Sequence, residues 1–144
     1  MKIKLITLLL TSLSCSAHAQ WVNADRSKNL QPMADVVRTD ILDHPTHAAR
    51  LFSYTGGDPA SNGLLLHLAV ENSQNYEWNI YPIKDVAEYR LLPSAQQGYI
   101  KLELKTDDGM DEQGNITHST STMFINLTQA HLPNGKIEMR EVKR

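Results

Sequence analysis

Alternation of apolar and polar residues at a period of two is the feature that most constrains how this chain folds. In residues 99–105, aliphatic Ile100, Leu102 and Leu104 alternate with charged side chains. This pattern is typical of a β-strand with one buried face. Similar short segments follow one another beyond residue 48 and are separated by turn-forming Gly, Pro, Asn and Asp residues. The predicted strands are 50–54, 64–70, 76–81, 85–92, 99–105, 116–127 and 136–142.

Two of these segments also indicate their places in a sheet. Residues 64–70 are apolar nearly throughout, which predicts a central strand covered on both faces. Residues 76–81 are followed by Pro82. Because proline has no N–H, it limits the hydrogen-bond ladder of this strand or places the strand at an edge. Because the connections are short, we expect consecutive strands to pair antiparallel.

Residues 31–43 have a different pattern, because their apolar side chains recur at spacings of three and four. These side chains are Met33, Val36, Val37 and Ile41. The spacing predicts an amphipathic helix of about three turns that packs against the sheet through Met33, Val37 and Ile41. Pro32 suits its first turn, and Pro45 ends it.

The patterns together predict a mainly β fold with one N-terminal helix. We expect a small antiparallel β sandwich or a strongly curved sheet of about six to seven strands. The alternative is an α+β fold in which the helix packs on an antiparallel meander. No repeat or linker divides the chain, so residues 20–144 are predicted to form a single globular β-rich domain.

The first 19 residues have the layout of a secretory signal peptide. Lys2 and Lys4 precede an apolar run over residues 5–10, and small residues at Ala17 and Ala19 form a cleavage site. We therefore expect cleavage near Ala19-Gln20 and a periplasmic or secreted protein. The single cysteine, Cys15, lies in this leader, so the mature chain has no thiol for a disulfide or a cysteine metal site.

Charge argues against a nucleic-acid partner, and hydropathy argues against a transmembrane segment. The chain carries 16 Asp and Glu against 14 Lys and Arg, and the leader holds Lys2 and Lys4, so the mature chain is acidic. An acidic domain is unsuited to tracking the phosphates of nucleic acid. The mature chain also has no apolar run of about 18–20 residues, so we expect no transmembrane segment.

An acidic segment over residues 107–115 is a candidate calcium site. Its oxygen-bearing side chains include the candidate ligands Asp107, Asp108, Asp111 and Asn115, and oxygen is the ligand atom that Ca²⁺ prefers. The order of these residues departs from the EF-hand pattern. The alternative is a solvated hairpin loop in which Asp, Gly and Asn supply turn conformations.

His44 and His47 are candidate ligands for Zn²⁺ or Cu²⁺, with Asp40 and Asp43 nearby. No third strong ligand is close in sequence, and a complete site requires a distant histidine. His67, His118 and His131 are the three available for this. The alternative is a polar end of the predicted helix, where histidine interacts favourably with the helix dipole.

Two surfaces are candidates for binding a partner. The loop of residues 55–63 contains Gly56, Gly57, Asp58 and Asn62, which suit either a connecting loop or a partner-contacting one. The second surface is a sheet face that carries Tyr81, because exposed aromatic side chains are favoured interface anchors. Core packing is the alternative role for Tyr81.

The sequence contains no recognisable reaction centre. It has no Gly-x-Ser-x-Gly elbow and no mature cysteine, and we assign no catalytic residue. The leading hypothesis is therefore an exported, non-catalytic binding or interaction domain for an unknown protein or small ligand. An exported metal-binding protein that uses His44 and His47 or residues 107–115 is the first alternative. A small hydrolase or isomerase with a pocket that the sequence does not show is the second, and no cofactor is expected apart from Ca or Zn/Cu in the metal-binding case.

Overall fold

Nine β-strands form two antiparallel sheets in the computed structural model, which describes residues 19–23, 36–44, 46–56 and 63–144. The strands are β1 (Ala19–Asn23), β2 (Val36–Leu42), β3 (Ala49–Thr55), β4 (Leu64–Glu71), β5 (Trp78–Val86), β6 (Glu88–Leu92), β7 (Tyr99–Met110), β8 (Ile116–Asn126) and β9 (Lys136–Lys143). The expectation of a mainly β, antiparallel fold is confirmed. The sequence did not predict β1 or β2.

The two sheets have the strand orders β1-β9-β8-β7-β6 and β2-β3-β4-β5. The chain passes from the second sheet to the first between β5 and β6. At this crossing the amide of Ala87 donates a 2.9 Å hydrogen bond to the carbonyl of Lys105 in β7. The described residues contain no helix long and apolar enough to span a membrane.

Side chains from both sheets form one hydrophobic core. Leu51 and Leu68 contribute from the four-stranded sheet, and Leu102 and Leu104 contribute from the five-stranded sheet. Each of these four side chains is fully buried. In β7 the aliphatic residues are buried while the charged residues between them remain partly accessible, as the alternation of residues 99–105 predicted.

The predicted positions of two strands within their sheet are also confirmed. β4 lies in the interior of its sheet, between β3 and β5. Its two faces are not equally covered as predicted, because Leu66, Leu68 and Val70 are buried whereas Leu65 and His67 are only half-buried. β5 is an edge strand, and Pro82 sits in it opposite His67, next to an irregularity in the β4–β5 register. A proline at this edge leaves no ladder hydrogen bond unmade.

The predicted helix over residues 31–43 is wrong for the part of that segment that the structure describes. Residues Val36–Leu42 form β2, which pairs antiparallel with β3. Val37 and Ile41, which were expected to pack on the sheet, are 57% and 83% exposed, and Leu42 is the buried residue instead. Pro32, Met33 and Pro45 lie outside the described residues.

The physical reason for this error is that residues four apart share one face in a strand as well as in a helix. The spacing from Val37 to Ile41 therefore fits both structures. Four of the seven residues of β2 are β-branched, which favours the extended conformation.

Polar contacts between the sheets support β2 as a strand. The hydroxyl of Tyr89, in β6, donates a 3.0 Å hydrogen bond to Oδ2 of Asp40. Oδ1 of Asp40 accepts a 2.8 Å bond from the guanidinium of Arg38, and that guanidinium lies 4.8 Å from the centroid of the Tyr89 ring. The charged side chains of β2 thus bind the edge of one sheet to the edge of the other.

Candidate functional site

Three imidazole rings from two distant parts of the chain lie together beside the sheets. The ring centroids of His47 and His131 are 4.4 Å apart and stacked, and His44 lies 5.9 Å from His47 and 6.5 Å from His131. We call His44, His47 and His131 the histidine cluster. The structure thus brings the predicted pair together with one of the three distant histidines that the sequence offered.

The position of His131 is fixed through the backbone around it. The side-chain amide of Asn79 donates hydrogen bonds to the carbonyls of Ala130 and Leu132, at 2.8 and 2.9 Å. The amide of Ser73 donates a 2.9 Å bond to the carbonyl of His131 itself. The segment between β8 and β9 is therefore held against β5 and the turn before it, and His131 is presented to the connection between β2 and β3.

His44 organises the connection between β2 and β3. Its Nδ1 accepts hydrogen bonds from the amides of His47 and Thr46, at 3.2 and 3.4 Å. An accepting Nδ1 carries no proton, so in the neutral ring the proton is on Nε2. This role requires the neutral form of His44.

The surroundings of the cluster favour neutral imidazoles. Burial lowers the pKa of His44, and neighbouring His47 and His131 lower it further. Burial also lowers the pKa of His131, with a smaller contribution from His47. Nδ1 of His131 is buried and has no hydrogen-bond partner within the part of the chain that the structure describes.

The cluster does not have the geometry of a metal site as its side chains stand. In the described ranges, no three His, Cys, Asp or Glu residues are arranged to hold a metal ion. In neutral His44, the lone pair of Nδ1 is used by two backbone amides and Nε2 carries the proton. The geometry therefore gives no support to metal binding through His44.

The acidic residues of the 107–115 segment are divided between a turn and a strand pair. Oδ1 of Asp111 accepts hydrogen bonds from the amides of Gln113 and Asn115, at 3.0 and 2.8 Å. The side-chain amide of Asn115 donates a 3.0 Å bond to Oδ2, and the bonds from Asn115 are the main cause of the lowered pKa of Asp111. The carboxylate of Asp111 thus closes the hairpin, as the loop alternative predicted.

Asp107 and Asp108 belong to β7 and contact β8 instead of the turn. Oδ1 of Asp107 lies 2.7 Å from Nδ1 of His118, and Ser119 donates a 3.0 Å bond to Oδ1 of Asp108. The four predicted calcium ligands therefore do not converge on one point. The carboxylates of Asp107, Asp108 and Asp111 instead accept hydrogen bonds from neighbouring protein groups.

The pair of His118 and Asp107 also bears on the hydrolase alternative. A carboxylate that orients a histidine is one part of a nucleophilic triad, and the other part is a hydroxyl or thiol bonded to the second ring nitrogen. Within the described residues, no hydroxyl is hydrogen-bonded to His118, whose partner is Asp107. Within the described residues, the pair therefore lacks the hydroxyl or thiol that a nucleophilic triad requires.

Tyr81 does not lie on an exposed binding face, so that part of the binding-surface prediction is wrong. Its side chain is fully buried, and its hydroxyl donates a 2.8 Å hydrogen bond to the carbonyl of Ala130. Alternation along β5 turns Trp78 toward solvent and Tyr81 toward the core. Gly56 is partly buried at the end of β3, and Gly57, Asp58 and Asn62 lie outside the described residues.

The outer face of the four-stranded sheet is a surface that the sequence interpretation missed. The rings of Phe52, Tyr54 and His67 stack side by side on it, with centroids 5.0 to 6.4 Å apart. Ile41 and Trp78 are exposed on the two edge strands that flank them. The continuous apolar character of residues 64–70 was the available signal, because it requires apolar positions on both faces of β4.

No protein-family model matches this chain, and neither does any curated protein sequence or solved structure. The chemistry of its own side chains is therefore what indicates a function.

Proposed function

We propose that this protein is an exported, non-catalytic binding domain, built as a small β sandwich, whose binding surface is the outer face of the four-stranded sheet. The observation that carries the proposal is the row of apolar and aromatic side chains across that face. Ile41 is 83% exposed at one edge and Trp78 is 38% exposed at the other. Half-buried Phe52, Tyr54 and His67 lie between them, and exposed apolar side chains gathered on one face mark an interaction site on a soluble protein.

The composition of this face fits the surface of another protein. Cores of protein interfaces are rich in aromatic residues and arginine and poor in lysine and carboxylates. Two neighbouring cross-strand rows of the outer face are Thr39-Phe52-His67-Pro82 and Ile41-Arg50-Ala69-Ile80. Arg50 is the one permanently charged residue in these two rows, and its guanidinium lies 5.0 Å from the centroid of the Trp78 ring. A carboxylate, Glu71, lies opposite Trp78 in the next row, toward the end of the strands. We therefore expect the partner to present an apolar surface without charge at its centre.

The face suits this role better than the free edge of β2. Asp40 points from that edge strand toward the other sheet, where it accepts a hydrogen bond from Tyr89, and half-exposed Arg38 pairs with it. Inward-pointing charges are a device by which natural edge strands resist pairing with another chain. A partner strand added to β2 would have to accommodate these charges, whereas the outer face presents no such obstacle.

A photo-crosslinking experiment tests the proposed surface. A photoreactive residue is placed at Thr39, in the centre of β2, and at Thr117 on the other sheet as the control position. The exported protein is irradiated in the cells that produce it, and the adducts are identified. We expect Thr39 to give a discrete protein adduct that Thr117 does not give.

The substitution Ile41→Glu makes this test specific. A buried charge at the interface costs at least about 1.4 kcal/mol, so the adduct should fall about tenfold. Met110→Glu, at an exposed apolar residue of the other sheet, should leave the adduct unchanged. Equal adducts from both positions, or an adduct indifferent to Ile41→Glu, would refute the proposed surface. A second copy of this chain as the adduct would identify self-association.

Export is tested separately, by the N-terminal sequence of the protein recovered outside the cytoplasm. We expect it to begin at Gln20, because Ala17 and Ala19 form the cleavage site. Ala19→Arg should prevent processing. An unprocessed wild-type protein that starts at Met1 would overturn this part of the proposal without affecting the binding surface.

A further inference from the structure

The histidine cluster joins two segments that are far apart in the chain. His44 and His47 belong to the connection between β2 and β3, and His131 belongs to the segment between β8 and β9. We propose that this contact holds only while the imidazoles are neutral, so that acidification separates the two segments. The cluster is then an acid-sensitive contact built into the fold, independent of the proposed binding surface.

Protonation of His44 removes the hydrogen bonds that shape its own segment. In the neutral ring, Nδ1 accepts from the amides of His47 and Thr46. A proton on Nδ1 turns this acceptor into a donor that faces two other donors. Both bonds are then lost, and the position of His47 is no longer fixed relative to His44.

Protonation also places like charges in close contact. The rings of His44 and His131, which belong to the two different segments, have centroids 6.5 Å apart. Two imidazolium ions at this distance repel each other in a partly buried site. Repulsion acts directly across the contact between the two segments.

Within the ranges that the structure describes, no carboxylate contributes to the pKa of His44 or His131 and so offsets this repulsion. The acidic groups on the adjoining elements are Asp43, beside His44, Glu71, whose Oε2 accepts a 3.4 Å bond from the amide of Ala48, and Glu77, bonded to Asn75. Burial and the other imidazoles cause the lowered pKa values of His44 and His131. None of these three carboxylates contributes to them.

The direction of the pH dependence follows from these lowered pKa values. The open state has an ordinary histidine pKa near 6.5, and the closed state has a lower one. As the pH falls below about 6.5, the open state binds protons that the closed state does not, so opening becomes more favourable. Tenfold per pH unit is the upper limit of this effect for each such histidine.

Amide hydrogen exchange of the full mature chain measures this equilibrium at defined atoms. The amide of His47 reports the bond to His44, and the amide of Ser73 reports the bond to the carbonyl of His131. After correction for intrinsic exchange, we expect their opening equilibrium to rise between pH 6.5 and 5.5, by up to about fivefold for each histidine that takes up a proton on opening. Core amides such as that of Leu102 should not change in parallel, which separates local opening from global unfolding.

Two substitutions complete the test. His131→Gln replaces a titrating ring by a neutral side chain and should flatten the pH dependence at Ser73. His118→Gln, at an exposed histidine on the other sheet, should leave it unchanged. Exchange that is independent of pH in the wild type, or a dependence at Ser73 that is undiminished in His131→Gln, would overturn the proposal. Protection that requires Zn²⁺ and is lost with EDTA would also overturn it, because the cluster would then be a metal site.

Discussion

The hydroxyl of buried Tyr81 donates a 2.8 Å hydrogen bond to the carbonyl of Ala130, and the side-chain amide of Asn79 donates to the same oxygen. Two residues of β5 thus hold the segment that carries His131. A tyrosine that the sequence suggested for a binding surface instead helps Asn79 to hold the carbonyl next to His131.

Tyr81→Phe keeps the packed ring and removes this hydrogen bond. We expect the free energy of unfolding to fall by about 1–2 kcal/mol, because a buried hydrogen bond is lost. Urea denaturation measures the change. Tyr76→Phe, at a side chain that is 80% exposed, serves as the matched control and should leave stability within about 0.5 kcal/mol. Equal effects of the two substitutions would contradict the structural role of Tyr81.

Gly135 lies against the same hydrogen bond and leaves no room for a side chain. A Cβ atom at this position would lie 2.5 Å from the Tyr81 hydroxyl and would overlap the carbonyl of Ala130. We expect Gly135→Ala to lower the free energy of unfolding by about 1–3 kcal/mol, as for an overpacked core. Gly63→Ala is the control, because its Cβ meets no atom of the described residues within 4 Å. A Gly135→Ala protein as stable as Gly63→Ala would contradict the observed packing.

If residues 36–42 form a strand, alanine substitutions at neighbouring Ile41 and Leu42 should have very different effects on the free energy of unfolding. Leu42 is buried, so Leu42→Ala should cost about 2–5 kcal/mol. Ile41 faces solvent, so Ile41→Ala should change stability by less than about 0.5 kcal/mol. The sequence-based helix would bury Ile41, so a large loss from Ile41→Ala would favour it over β2. Thermal or urea unfolding distinguishes the two outcomes.

Most strands could be predicted from local alternation, because a strand with one buried face has apolar residues on that face and polar residues on the other. Residues 99–105 are the clearest case. The same information was ambiguous at Val37 and Ile41, where a spacing of four fits either structure. At Tyr81 the alternation separated the two faces of β5 but did not reveal which face lies on the core.

The site was less predictable than the strands because it depends on contacts between distant segments. His44 and His47 are conspicuous in the sequence, but His131 joins them only through the fold. Its position is set by hydrogen bonds from Asn79 and Ser73, two residues that no local motif connects with histidine. The sequence could therefore name His131 only as one of three possibilities.

An ion pair between the sheets makes acid stability testable at a single carboxylate. Nζ of Lys84, in β5, lies 2.6 Å from Oε1 of Glu141, in β9, and Ser121 donates to the same oxygen. Burial raises the pKa of Glu141, but the bonds from Lys84 and Ser121 outweigh it, so the pKa is lowered from 4.5. The stabilisation is therefore fully present above about pH 4.5 and is lost as the pH falls through the lower folded-state pKa.

Lys84→Met should remove most of this contribution. We expect the free energy of unfolding at pH 7 to fall by about 0.5–1 kcal/mol and the pH dependence below pH 5 to become shallower. Denaturant unfolding across that range measures both effects. Arg90→Met breaks the pair of Arg90 and Glu103, whose guanidinium side is 69% exposed, and should have a smaller effect at pH 7. If the free energy of unfolding of Lys84→Met depends on pH below pH 5 as that of the wild type does, the pair contributes nothing to stability.

Metal addition tests whether the histidine cluster or the acidic hairpin binds a cation. The oxygen atoms of Asp111 already bind Gln113 and Asn115, and Nδ1 of His44 already accepts two backbone amides. A cation would have to replace these bonds, so we expect neither Ca²⁺ nor Zn²⁺ to raise the midpoint of thermal unfolding. A real site would be easily detected, because a ligand at one hundred times its Kd stabilises by about 2.7 kcal/mol. A saturable rise with Zn²⁺ that His47→Ala abolishes would instead establish a metal site at the cluster, since protein–metal bonds would then outweigh the hydrogen bonds that the cluster now makes.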